Sequence, residues 1–116
     1  MGSFGKAPVL LLTTTGRKSG KKRTTPLLYL EESGAYFVVA SAGGSPQPPA
    51  WYLNLTAHPE VELQIQNRTL SAKAETTAGD EKKRLWTRLN ELYPTYEAYQ
   101  KKTQREIPVV RLTVRS

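Results

Sequence analysis

Apolar residues in this chain come in strand-sized stretches, separated by glycine, proline and short polar turns, and that rhythm limits what the chain can fold into. Val9–Thr15 is apolar and then β-branched, the composition of a strand. Gly16-Arg-Lys-Ser-Gly20 is a turn with two glycines available for positive φ. Arg23–Leu30 reads as the return strand, with Pro26 marking an edge or a bulge. After a turn at Glu31–Gly34, Ala35–Ala40 is a third strand, and the three are expected to form a β-meander.

The second half brings helices. Ser41–Pro49 is a loop with two glycines and three prolines. Ala50–Ala57 reads as a short helix with Pro49 near its first turn, stopped by His58-Pro59. Val61, Leu63 and Ile65 alternate with Glu62, Gln64 and Gln66, which marks a half-buried strand. Asn67-Arg68 turns the chain and Thr69–Glu75 pairs back. Thr76–Asp80 supplies helix-start residues, and Leu85, Trp86, Leu89 and Leu92 follow helical spacing. Pro94 breaks that helix, a second short one runs to about Gln104, and Ile107–Val114 is the last strand. The fold class expected is mainly β with helical insertions (α+β): a small, partly closed antiparallel barrel of about six strands. A length of 116 residues fits one domain over 9–116, preceded by an extension at residues 1–8.

Composition narrows the chemistry. Cysteine is absent, so no disulfide, thiolate nucleophile or cysteine-based zinc site is available. His58 is the single histidine and sits at a helix stop, so no Ser/His/Asp set and no histidine metal site is expected. An enzyme built from these residues would rely on a cofactor. Net charge is +7, and its distribution is uneven: residues 1–30 hold six basic residues and no acid, and five of the six lie in Arg17–Arg23. Such a patch implies an anionic partner. The turn can offer backbone N–H groups, the Ser19 hydroxyl, guanidinium forks at Arg17 and Arg23 and a point charge at Lys18. It is not a P-loop, whose glycine-lysine string is missing. From the residues alone, an anion site and a solvated hairpin tip stay equally open.

Two further groups stand out. Ser41-Ala-Gly-Gly44 could let a planar ring lie against the backbone, with Trp51 and Tyr52 as walls and Asn54 as a polar contact. The alternative is that Trp51 is a core anchor and the glycines only serve a turn. Tyr93, Tyr96 and Tyr99 are spaced three apart and would form a stripe on one side of a helix, lining a pocket or packing on the barrel.

Taken together, these strings resemble the deazaflavin-dependent nitroreductase family. The resemblance runs through Leu11–Gly20 with Arg23 and Pro26-Leu27, Ala40–Gly44, Pro49–Leu55, Pro59-Glu-Val with Gln64, and Tyr93-Pro-x-Tyr96-x-x-Tyr99-Gln with Thr103, Arg105 and Ile107-Pro-Val. It implies a split β-barrel related to flavin mononucleotide-binding proteins, and a reductase using the reduced 8-hydroxy-5-deazaflavin coenzyme (coenzyme F-420) as hydride donor. Quinones, nitroaromatics and enones or lactones are the acceptors implied. By the same resemblance Gly16, Arg17, Lys18, Ser19, Gly20 and Arg23 hold the phosphate and the coenzyme's acidic tail. Thr24, Thr25, Pro26, Leu27 and Leu28, then Val39, Ala40, Ser41 and Ala42, then Ala50, Trp51, Tyr52, Leu53 and Asn54 line the deazaflavin slot. Ser41, Tyr93, Tyr96 and Tyr99 face the substrate, with Tyr96 orienting it or supplying a proton. Some members carry a lysine after that serine where this chain has Ala42.

The rival expectations are a flavin mononucleotide enzyme of the same fold, a non-catalytic cofactor carrier, and a nucleic-acid-binding barrel. No aromatic residue lies between Phe4 and Tyr29 to stack bases beside the basic run, so nucleic acid is not expected as a partner. Monomer and homodimer stay open. A cytoplasmic location is expected, with weak association at the inner membrane face as a further option.

Overall fold

The computed structural model describes residues 8 to 115, so the extension expected at residues 1–8 lies, apart from Pro8, outside the described residues. Seven strands form one antiparallel sheet: β1 Val9–Thr15, β2 Lys22–Leu28, β3 Leu30–Glu32, β4 Ala35–Val39, β5 Glu60–Ile65, β6 Arg68–Thr76 and β7 Val109–Val114. Three helices are inserted: α1 Ala50–Ala57, α2 Gly79–Leu92 and α3 Thr95–Lys101.

The strand order is β2-β1-β5-β6-β7-β4-β3. β2 and β3 are consecutive in the chain, with only Tyr29 between them, yet they occupy opposite edges of the sheet. A sheet can meet that condition only by curling until its edges approach, which makes it a barrel with a split. The Tyr29 N–H donates to the Pro8 carbonyl at 3.3 Å across the start of β1.

The expected meander is therefore corrected. Arg23–Leu30 is not one strand but two, and this break raises the count from six to seven. Pro26 supplies the physical reason. It faces Leu11 in the β1–β2 ladder and has no N–H to give a third strand, so β2 belongs at an edge. β4 instead pairs with β3 on one side and β7 on the other. The last strand begins at Val109, two residues later than expected.

Alternation along β4 links two cores. Tyr36, Val38 and Ala40 point into the barrel, with Leu10, Leu12, Leu63, Val110 and Leu112. Phe37 and Val39 point the other way, beneath Leu85 and Leu89 of α2 and Tyr96 of α3. This explains why Ala35–Ala40 is apolar throughout: a strand covered on both faces has no polar side. α2 buries Leu85 and Leu89 but not Leu92, which is 52% exposed in the last turn. Trp51 and Leu55 of α1 join the barrel interior, so α1 sits against β1 beside the basic turn.

Candidate functional site

The β1–β2 ladder runs to Thr15 opposite Lys22, and the basic turn closes it. Gly16 donates to the Lys21 carbonyl at 2.8 Å and Gly20 to the Gly16 carbonyl at 2.9 Å. Gly20 has φ +72. A Cβ at Gly16 would stand 2.6 Å from the Ser19 Oγ and 3.2 Å from the Lys21 carbonyl oxygen, so this turn needs glycine there. The Ser19 Oγ accepts the Lys21 N–H at 3.1 Å. These bonds make the turn a defined structure rather than a loose tip.

Asn54 ties it to α1. This side chain is buried, and its Oδ1 accepts from both the Arg17 backbone N–H and the Arg17 Nη1, each at 3.1 Å. Its Nδ2 faces the Thr14 Oγ1 at 3.4 Å. A cleft of about 470 Å³ opens between the turn, β2 and α1, lined by Gly16, Arg17, Lys18, Ser19, Arg23, Thr24, Thr25, Ala50, Trp51 and Asn54. Each of these was expected from the sequence to touch a coenzyme. Ala50 and Trp51 are the first residues of α1, so the cleft receives the positive end of that helix.

Charge pairing elsewhere sharpens the field of the cleft. Among the described residues, ion pairs engage Lys82, Arg84, Arg88, Arg111 and Arg115 with Glu106, Glu32, Glu75, Glu81 and Glu60. None of these pairs uses Arg17, Lys18, Lys21, Lys22 or Arg23. Five cations without an ion pair among the described residues thus stand within seven positions at one hairpin end, where they attract anions.

The other expected coenzyme contacts are not among the residues that line this cleft. Leu27 and Tyr52 pack on the barrel core, Ala40 lies within it, and Val39 belongs to the core under α2. Gly20, Pro26 and Ala42 are exposed, while Leu28, Ser41 and Leu53 are half-buried. The Tyr52 hydroxyl pairs with the Thr76 Oγ1 at 2.9 Å, on the side of α1 that lines a different, smaller hollow.

The loop that follows Ser41 meets the helix that bears Tyr96 and Tyr99. The chain makes a 3-10 turn at Ala42–Gly44, with φ +47 at Ala42 and +84 at Gly44. A Cβ at Gly44 would stand 2.8 Å from the Tyr99 carbonyl oxygen, so loop and α3 meet backbone to backbone. Tyr93 is not on one helix with the other two, as the spacing had suggested; it caps α2, and α3 starts at Thr95. Its hydroxyl donates to the Tyr29 carbonyl at 3.4 Å, and its ring meets that of Tyr96 edge-on at 5.8 Å. The Tyr99 ring lies 5.8 Å from the Lys102 ammonium.

Sequence reasoning did not single out Arg105 as a site residue. Its Nε donates to the Ser45 carbonyl at 2.9 Å, and its Nη2 to the Ala40 and Ser41 carbonyls at 3.2 and 3.1 Å. The sequence contains no signal for these contacts beyond an arginine following a short helix, since the carbonyls lie about sixty residues away.

Burial shifts the phenols. Tyr96 is 8% exposed, and desolvation, reinforced by Tyr93 and Tyr99, pushes its pKa from the usual 10.0 up to about 12. Burial also raises Tyr93, with Tyr29 adding to the effect. For Tyr96 the folded state holds its proton more tightly than the unfolded chain, so its contribution to stability is whole below pH 10 and is lost as pH rises toward about 12. The expected loss is about 2 kcal/mol. Urea unfolding at pH 9 and pH 11.5 should show a smaller alkaline loss in Tyr96→Phe than in the parent chain; equal losses would remove Tyr96 as the group responsible.

The curled seven-stranded sheet, with a basic cleft at the end of its first hairpin, defines a split β-barrel. Residues 1–114 match the family described as F420H(2)-dependent quinone reductase, and the chain belongs to that family. It is 44% identical over 75 residues to the F420H(2)-dependent quinone reductase Rv1261c of Mycobacterium tuberculosis, a match covering 62% of this chain and 50% of that protein. The chain thus spans about half the length of the curated relatives it matches. The structure of an F420-H2 dependent reductase (FDR-A) superposes with a TM-score of 0.83 at 46% identity, covering 90% of this chain and 93% of that one. A domain-swapped dimer superposes with the same score and identity, covering 79% of its chain.

Proposed function

We propose that this chain is a reductase that draws hydride from the reduced 8-hydroxy-5-deazaflavin coenzyme and delivers it to a quinone, with nitroaromatics and enones or lactones as further acceptors. The observation that carries the reading is the cleft: a glycine-bearing turn, Arg17, Lys18 and Arg23 without an ion pair among the described residues, and the N-terminal turn of α1, where the largely buried Trp51 meets the cleft. Those residues fit the coenzyme. A phosphate suits the turn amides, the cations and the helix end, and the Trp51 indole and small Ala50 suit a planar ring. The coenzyme, when bound, would supply a hydride, that is, one proton and two electrons together.

The chain's own residues do the rest. Asn54 fixes Arg17 before any ligand arrives, so its guanidinium needs little reordering. Trp51 and Thr25 wall the cleft and keep water from one side of the reacting pair. Ser41 and Tyr96 orient the acceptor, Tyr93 and Tyr99 flank it, and proximity does most of the catalytic work. A Tyr96 phenol with a pKa near 12 stays protonated at physiological pH. It suits a hydrogen bond to an oxyanion better than full proton release.

A homodimer is the proposed assembly, supported by the dimeric relative. The cytoplasm is the proposed location, with the basic hairpin available to an anionic inner membrane face. No described helix is long and apolar enough to cross a membrane.

The test is turnover of menadione with the reduced coenzyme. Oxidation of coenzyme in step with menadione is the expected result. A purified protein yellow with oxidised flavin mononucleotide and indifferent to the deazaflavin would transfer the function to the flavin. Coenzyme binding without turnover would make the chain a carrier. Steeply salt-dependent oligonucleotide binding without coenzyme binding would make it a nucleic-acid protein.

A further inference from the structure

Arg105 makes no ion pair among the described residues, although arginines elsewhere on the molecule do. Its guanidinium is spent on three backbone carbonyls of one loop: Ala40, Ser41 and Ser45. Those carbonyls bracket the 3-10 turn at Ala42–Gly44, where the alanine holds φ +47. A non-glycine residue in that conformation persists only where its surroundings hold it. Arg105 is itself fixed from α3. The Gln100 Nε2 donates to the Arg105 carbonyl at 2.8 Å, and the Gln100 Oε1 accepts the Ile107 N–H at 2.9 Å. The Thr103 Oγ1 accepts the Arg105 N–H at 3.3 Å. One guanidinium therefore locks the Ser41 loop to the helix that bears Tyr96 and Tyr99.

We infer that Arg105 is a positioning residue for the acceptor half of the site: it fixes the loop that carries Ser41 to the segment following the helix of Tyr96 and Tyr99, while the basic turn of Arg17 with its brace Asn54, which it does not touch, anchors the coenzyme. The inference rests on the proposed reductase reading. Arginine is needed because a planar fork reaches three carbonyls at once, whereas a lysine ammonium at the end of a flexible stem holds them less rigidly. Its contacts are all to backbone carbonyls, so its charge is not needed to neutralise an acid. Misplacement of reacting groups by about 1 Å can cost on the order of 100-fold in rate, and the loss should fall on the acceptor step.

The experiment compares the full chain with Arg105→Lys and Arg105→Ala. Coenzyme affinity is read by fluorescence titration, and menadione reduction by single-turnover and steady-state kinetics. Both variants should bind the coenzyme within about twofold of the parent affinity, a shift well inside the 1.4 kcal/mol that tenfold represents. The hydride step should slow by about 100-fold in Arg105→Ala, with an intermediate loss in Arg105→Lys. Millimolar guanidinium ion should restore part of the rate in Arg105→Ala, which general loosening of the fold would not allow. Unchanged hydride transfer in Arg105→Lys, or coenzyme affinity falling in parallel with rate, overturns the inference. A parent chain that does not bind the coenzyme overturns the reductase reading instead, and the two failures are thereby distinguished.

Discussion

Replacing Arg17 and Lys18 together by alanine is expected to weaken coenzyme binding about 100-fold. Both residues line the cleft, and neither is neutralised by an acid in the described structure. A charge-assisted hydrogen bond contributes about 1.5 kcal/mol at the low end of its range, the end suited to exposed side chains, and two such losses give roughly this factor. The loss should appear in fluorescence titration of the coenzyme and shrink as salt is raised, since salt already weakens the contacts in the parent chain. Asn54→Ala should weaken binding less. It frees the Arg17 guanidinium and backbone N–H, each now held at 3.1 Å, without removing any charge. Unchanged affinity in the double variant would mean that the hairpin end is not the anchor.

Replacing Tyr96 by phenylalanine is expected to lower menadione turnover by about 100-fold, the usual scale for one donor to a developing oxyanion. Coenzyme affinity should hold, because Tyr96 is the buried residue of α3 and does not line the cleft of the basic turn. The substitution removes only a hydroxyl, so the ring keeps its place among Leu30, Phe37, Leu85, Leu89 and Ile107. Turnover in the parent chain should show no step from Tyr96 between pH 6 and pH 10, because burial keeps the phenol protonated to about 12. Full activity in the phenylalanine variant would remove Tyr96 from the reaction and leave it a packing residue.

Much of the barrel was legible because its signals are local. Alternation at Val61, Leu63 and Ile65 gave β5 its buried face, and the Pro49 and His58-Pro59 boundaries matched α1. The Gly16–Gly20 turn was legible as a turn because its geometry depends on the glycines themselves. The edge position of β2 was legible in Pro26, but the break at Tyr29 and the placement of β3 at the opposite edge were not. Both follow from β4 pairing with β7, a choice made between segments some seventy residues apart. The tyrosine stripe misled for a related reason: a spacing of three suits one helix, yet Pro94 ends α2 before α3 begins.

By itself the sequence determined that this chain would make strands joined by glycine turns, with one strongly basic hairpin and no cysteine chemistry, because such properties depend on residue types and near neighbours. Tertiary structure alone decided which cations stay unpaired. Glu32 sits opposite Arg84 and Arg88 only after folding, and no comparable acid is brought to Arg17, Lys18 or Arg23. It also decided that Asn54 would brace the basic turn and that Arg105 would hold the Ser41 loop. Those contacts join segments far apart in the chain, and the free energy that selects them is the burial of two cores on either face of β4, which no local stretch of residues contains.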